Sequence, residues 1–168
     1  MTSIDYRILR TEPGDALWHH IASHSPQHMQ YIADPNDPGD YHCLVAIDHD
    51  DAFRGLCIID LGPMRLGSLA DQIVGFLENI LVPELFRRQG VGSALLRAAM
   101  ELAWQTGAAH VRWTVDYENT AGISFYRSNG AVFIPEEDPQ AEEPEKYYMV
   151  VVVNPRLRLG EGKTDGSP

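Results

Sequence analysis

FLENILVPELFRRQGVGSALLRAAMELA, residues 76–103, decides the fold of this 168-residue chain. Residues 76–82 are apolar apart from Glu78 and Asn79 and are stopped by Pro83, which reads as a strand. Further on, Leu95, Leu96, Ala99, Leu102 and Ala103 recur at helical spacing on one face, while Ser93, Arg97 and Glu101 occupy the other. Between strand and helix lie Arg87, Arg88, Gln89 and the pair Gly90-Val91-Gly92. Glycines at a helix start leave its first amides uncovered beside the positive end of the dipole, so this turn predicts an anion site. The two arginines add forked donors that suit a pyrophosphate better than a single carboxylate.

Two familiar phosphate loops do not fit. A Walker loop needs Gly-Lys-Ser/Thr and no lysine stands near; a dinucleotide fingerprint needs a third Gly or Ala where this chain has Leu95. The pattern Arg87-x-x-Gly90-x-Gly92 instead resembles the main motif of the GNAT superfamily of N-acetyltransferases. Downstream, Asn119, then Ser124-Phe125-Tyr126-Arg127 and Asn129-Gly130-Ala131, resemble that family's second signature. One departure is Gly122, three residues after the asparagine, where the family often has alanine.

The resemblance covers about residues 72–153. It implies a GNAT fold, α/β with a central mixed (α+β) sheet flanked by helices, and acetyl-CoA as acetyl donor with no metal. On this resemblance Ile80, Leu81 and Val82 present backbone groups to the pantetheine arm. Arg87, Arg88, Gln89, Gly90, Val91, Gly92 and Ser93 cradle the pyrophosphate. Asn119 bonds the coenzyme arm, with helix capping as its structural alternative, and Tyr126 sits near the coenzyme sulfur as proton donor, with aromatic packing against Phe125 as the alternative. The text FLENILV of residues 76–82 also resembles the matching strand of diamine acetyltransferases, whose Glu lies near the acceptor. Glu78 is therefore the candidate base, directly or through water; burial within an apolar strand would raise its pKa, whereas a solvent-lined groove would leave it an ordinary surface acid.

Composition bounds the rest. Residues 1–155 read as one domain and 156–168 as a disordered tail. A hydrophobic content of 44% and a charged content of 22% are ordinary for a globular protein, and no apolar run reaches the ~20 residues of a membrane span. The N-terminus carries no secretory pattern, which places the expected location in the cytoplasm. A net charge of −11 argues against nucleic-acid and membrane partners and favours cationic acceptors. The expected partner is a small-molecule amine or a peptide amino group, with a homodimer left open. Cys43 and Cys57, each in an apolar segment, read as buried thiols.

Along the chain, residues 4–9 alternate as an edge strand, and Asp15 caps a helix that ends before Pro26. His20, His24 and His28 are spaced by four, but Pro26 breaks the helix that would align them as metal ligands. Residues 42–47 and 56–61 read as an antiparallel pair, 72–82 as the central strand, 110–115 as a strand parallel to it, 121–129 as a short helix, and 131–134 and 147–153 as the last strands. The acidic stretch 135–145, with three prolines, reads as a solvated loop or an electrostatic lip for amines. The competing function is a sensor that binds acyl-CoA without turnover. No nucleophile elbow exists, because Gly122-Ile123-Ser124 continues into Phe125-Tyr126.

Overall fold

The computed structural model describes residues 6–11, 15, 18–19, 22–23, 39–62, 73–135 and 147–156. Its elements are β1 (Tyr6–Thr11), β2 (Tyr41–Asp48), β3 (Phe53–Asp60), β4 (Gly75–Leu81), α1 (Val91–Gln105), β5 (His110–Asp116), α2 (Thr120–Ser128), β6 (Val132–Pro135) and β7 (Tyr147–Val153). They build one seven-stranded sheet in the order β1-β2-β3-β4-β5-β7-β6. Strands β4 and β5 run parallel, as a strand-helix-strand crossover requires, and the remaining neighbours are antiparallel. The expected mixed sheet with helices is the observed one, with shifted edges: β3 begins at Phe53 rather than residue 56, and β4 spans Gly75–Leu81 rather than 72–82.

Alternation sorts each strand between two cores. On one face Leu44, Ala46, Cys57, Ile59, Leu77, Val111, Trp113, Val115 and Val150 pack with Leu95, Leu96, Ala99 and Ala103 of α1 and with Ile123 of α2. On the other, Cys43, Val45, Ile47, Leu56 and Ile58 pack with Trp18 and Phe53. Both cysteines are buried free thiols, as expected, and burial pushes the Cys43 thiol up to about 12. Among the described residues no helix is long and apolar enough to cross a membrane. The three spaced histidines, the acidic stretch after Pro135 and the residues beyond Arg156 lie outside the described residues.

Candidate active site

Strand β4 behaves differently at its two edges. Against β3 it stays in register from Phe76 to Leu81, with one irregularity: Ile59 faces Leu77 while Ile58 faces Asn79. Glu78 is thus the extra residue of a β-bulge, a device that bends a strand and re-aims its side chains. Against β5 only Gly75 with Val111 and Phe76 with Arg112 are paired. Beyond them the two strands part, and among the described residues the β5-facing peptide groups of Ile80 and Leu81 have no sheet partner there. Backbone groups so released need another partner, water or a ligand.

The anion loop closes the end of this gap. Gly90 is the N-cap of α1 at φ 85°, a left-handed conformation that glycine adopts without strain. Arg88 is also left-handed, at φ 63°. Arg87, Arg88, Gln89 and Gly90 are exposed, and no side chain caps the helix, so its first amides face outward. Arg87 is not simply a free cation: its Nε donates to the carbonyl of Val82 at 3.1 Å, and Gln89 Nε2 donates to Leu85 at 2.9 Å. Both brace the turn from within, leaving Arg88 to project charge.

Two supports of the loop had no sequence signal. The Tyr6 hydroxyl donates to the Gly90 carbonyl at 3.3 Å, across 84 positions of chain. Arg54 lies 4.1 Å from the centroid of the Phe86 ring and is paired with Asp48. Asp48 is buried at the hairpin, and its carboxyl is held below the usual range by the Ala52 amide first, then by Arg54 and the Asp50 amide. Asp48, His49 and Asp50 bring ligand atoms within 4.8 Å of one another, but the oxygens of Asp48 are engaged in this turn.

Helix α2 supplies the aromatic wall. Asn119 caps it, its Oδ1 accepting from the Gly122 amide at 2.8 Å. A Cβ at Gly122 would fall 2.6 Å from Asn119 Nδ2, which explains why glycine stands at this position here. The capping alternative for Asn119 is therefore realised through its oxygen, with Nδ2 the remaining donor. One helical face carries Phe125 and Tyr126 toward α1 and β5. A Cβ at Gly92 would come within 3.3 Å of the Phe125 ring, so the start of α1 lies directly on α2. Tyr126 packs 4.8 Å from the Trp113 ring centroid and 5.1 Å from that of Phe125. Burial, with the neighbouring Cys57 adding to it, pushes the Tyr126 phenol up to about 12. The Trp113 Nε1 is buried without a hydrogen-bond partner among the described residues.

The gap thus brings together Val82, Gly92, Phe125, Tyr126 and the end of β4. Glu78 lies three residues back along β4 and differs from one expectation: it is exposed, so burial does not poise it as a base. Alternation is the reason: Leu77 fills the packed α1 face, so Glu78 falls on the other one, beside the irregularity opposite Ile58. Of the expected residues, the loop 87–93 and the end of β4 lie on one side of the opening, and Asn119 and Tyr126 on the other.

Comparison with known proteins gives the family. The model of the acetyltransferase (GNAT) family matches residues 6–131. Thialysine N-epsilon-acetyltransferase of Bos taurus is 29% identical over 101 residues, 58% of this chain and 59% of that protein. L-ornithine N5-acetyltransferase NATA1 of Arabidopsis thaliana is 38% identical over 56 residues, 33% of this chain and 25% of that protein. The chain is thus matched to less than two thirds of the length of either relative. Among solved structures, Arabidopsis thaliana NAA60 in complex with a bisubstrate analogue superposes with a TM-score of 0.65 at 12% identity, covering 88% of this chain and 98% of that one. At that identity the likeness shows the fold alone.

Proposed function

The chain belongs to the GNAT acetyltransferase family, and from that premise we propose that it moves an acetyl group from acetyl-CoA directly to a primary amine of a small molecule or peptide. The observation that carries this reading is the opening of β4 from β5, capped by uncovered helix amides and walled by Tyr126. The donor set fits the coenzyme. The amides of residues 91–93 with Arg88 suit the pyrophosphate. The peptide groups of Ile80 and Leu81 on the open edge, continued by Val82 whose carbonyl Arg87 holds, suit the amides of the pantetheine arm, a strand-like addition to an open edge. Asn119 Nδ2 offers one further donor to that arm.

Bound acetyl-CoA supplies the activated acetyl thioester. Tyr126 stays a neutral phenol up to about pH 12, so it offers its O–H throughout the range in which amines react. An ordinary thiol, with a pKa near 8.5, is the stronger acid. Tyr126 therefore acts as a hydrogen-bond donor to charge developing on the departing sulfur, and complete proton transfer from it is not required. Glu78, exposed beside the opening, takes the proton of the incoming ammonium through water. No enzyme nucleophile is needed, and the Cys57 thiol, fully buried and pushed up by burial, is unsuited to be one.

The test is incubation of the protein with acetyl-CoA and a panel of diamines, amino acids and peptides while free thiol is followed. Amine-dependent thiol release is the expected result. Coenzyme binding without release for any amine would overturn transfer and favour a sensor of acyl-CoA.

A further inference from the structure

The anion loop is bonded to itself and also tied to strands β1 and β3. Within it, Arg87 Nε reaches the Val82 carbonyl, Gln89 reaches the Leu85 carbonyl, and the Phe86 and Arg87 amides donate to the carbonyls of Pro83 and Glu84. These bonds give residues 82–90 a shape without fixing where that shape sits. Its position is set by the contacts of Arg54 with Phe86, near the start of the turn, and of Tyr6 with Gly90, at its end. Anchoring of this kind matters because Arg88 stands left-handed at φ 63°, a conformation that a non-glycine residue leaves readily unless its flanks are held.

Arg54 reaches Phe86 from a break in β3. Ala46 pairs with Gly55 and Ile47 with Phe53, so Arg54 is the extra residue of a bulge in the β2–β3 ladder. Phe53 packs in the core opposite α1, whereas a Cβ at Gly55 would come within 3.1 Å of Leu95 on α1; in a regular strand the two would share a face. The guanidinium that leaves this bulge bonds to Asp48, whose side chain is 2% exposed and whose Oδ1 accepts the Asp50 and Ala52 amides. One carboxylate thus closes the hairpin and fixes the cation. Tied down in this way, the guanidinium lies 4.1 Å from the Phe86 ring centroid, within the range of a cation–π contact.

Resting on the reading of this loop as the pyrophosphate cradle, we propose that Arg54 is a positioning residue for coenzyme binding: clamped by Asp48, it holds Phe86, and with it the turn of residues 84–90, in the form that receives the phosphates. A loop kept in its binding form binds with full intrinsic affinity, and one that visits that form only part of the time loses affinity by the same fraction. The effect therefore belongs to the phosphate-bearing half of the coenzyme. On the same reading the thioester lies beside Tyr126, so the transfer step itself does not depend on Arg54. A residue that served only to neutralise Asp48 would instead affect the fold as a whole and every donor alike.

The experiment measures the coenzyme A Kd by calorimetry, and thiol release from acetyl-CoA and from S-acetylpantetheine, for wild type, Arg54→Met, Phe86→Leu and the double variant. Each single change is expected to raise the Kd on the order of 10-fold, and the double change no further, because both remove the same contact. Turnover with S-acetylpantetheine, which carries no phosphate, should stay near the wild-type rate, as should kcat at saturating acetyl-CoA. An unchanged Kd in Arg54→Met overturns the role, and so do additive losses. A loss in Arg54→Met that Phe86→Leu does not share would make Arg54 a direct phosphate ligand, and an equal fall with both donors would make it a support of the whole fold; either overturns positioning. Absence of thiol release with any amine overturns transfer and leaves the Kd comparison to decide, whereas no coenzyme A binding by the wild type overturns the loop assignment and this inference together. Arg54→Met leaves Asp48 buried without its cation; should it fail to fold, Arg54→Met combined with Asp48→Asn takes its place, since an asparagine oxygen still accepts the two amides.

Discussion

Strand β4 has one closed edge and one open edge. Toward β3 it is zipped over most of its length, and the side chains above and below that seam, Leu77 and Ile59 on one face and Ile58 on the other, are core. Toward β5 it is zipped at two positions and then leaves. The closed edge makes stability, and on the proposed reading the open edge makes the site, because a sheet that parts inside a covered fold releases backbone donors and acceptors that a ligand or water can satisfy. The proposed chemistry sits on the open side: the α1 amides at its end, Tyr126 on its wall and Glu78 at its rim.

Substitutions that spare the closed edge should separate these roles, and the largest effect is expected at Tyr126. Tyr126→Phe keeps the ring against Trp113 and Phe125 and removes one hydrogen-bond donor. With chemistry rate-limiting, kcat should fall on the order of 10²- to 10³-fold while coenzyme affinity holds. The pH profile sharpens this. Burial disfavours the phenolate, so the donor is retained as pH rises past 10 and lost only near about 12. An alkaline limb near pH 10 that disappears in Tyr126→Phe would contradict that placement.

Next comes the anion loop. Gly92→Asp puts a carboxylate where the phosphates approach, and the coenzyme Kd should rise on the order of 10²-fold. Gly92→Ala is the steric control, since its Cβ would press on the Phe125 ring at 3.3 Å without adding charge. A few-fold loss is expected there, measured by calorimetry. Equal losses for the two variants would mean that packing of α1 on α2, and not anion binding, explains this glycine.

Legibility in the sequence divides along the same line. The helix could be read from the helical period of Leu95, Leu96 and Ala99 and the loop from glycine at a helix start, whereas the aromatic pair of α2 was legible only through its resemblance to the family's second signature. What could not be read depends on register between distant strands. The bulge of β4 opposite Ile58, the hydroxyl of Tyr6 on Gly90 and the placement of Arg112 beside Phe76 follow from pairings that residue types do not encode. The apolar neighbours of Glu78 give no sign that the strand bulges beside it. Gly122, read as a departure, is accounted for by the close Asn119 cap.

Glu78→Gln should cost less than the preceding changes, about 10-fold in kcat/KM, with the loss greatest at low pH, where most of the amine is charged and needs deprotonation. A pH-independent effect would make Glu78 a binding group for the cationic acceptor. The smallest effect belongs to Asn119. Asn119→Ala removes a helix cap worth about 1 kcal/mol, which lowers Tm by about 2–4 °C in a domain of this size. Asn119→Asp keeps the cap and deletes only Nδ2, so unchanged Tm with weakened coenzyme binding would identify that nitrogen as a ligand donor.

The open edge of β4 can be tested without any substitution, by following backbone amide hydrogen exchange with and without coenzyme A. Slowed exchange is expected in residues 78–82 and in the first turn of α1, residues 91–93, with the β2–β3 hairpin unchanged. Coenzyme binding that leaves both segments exchanging as in the free protein would contradict the assignment of the β4–β5 opening as the coenzyme site.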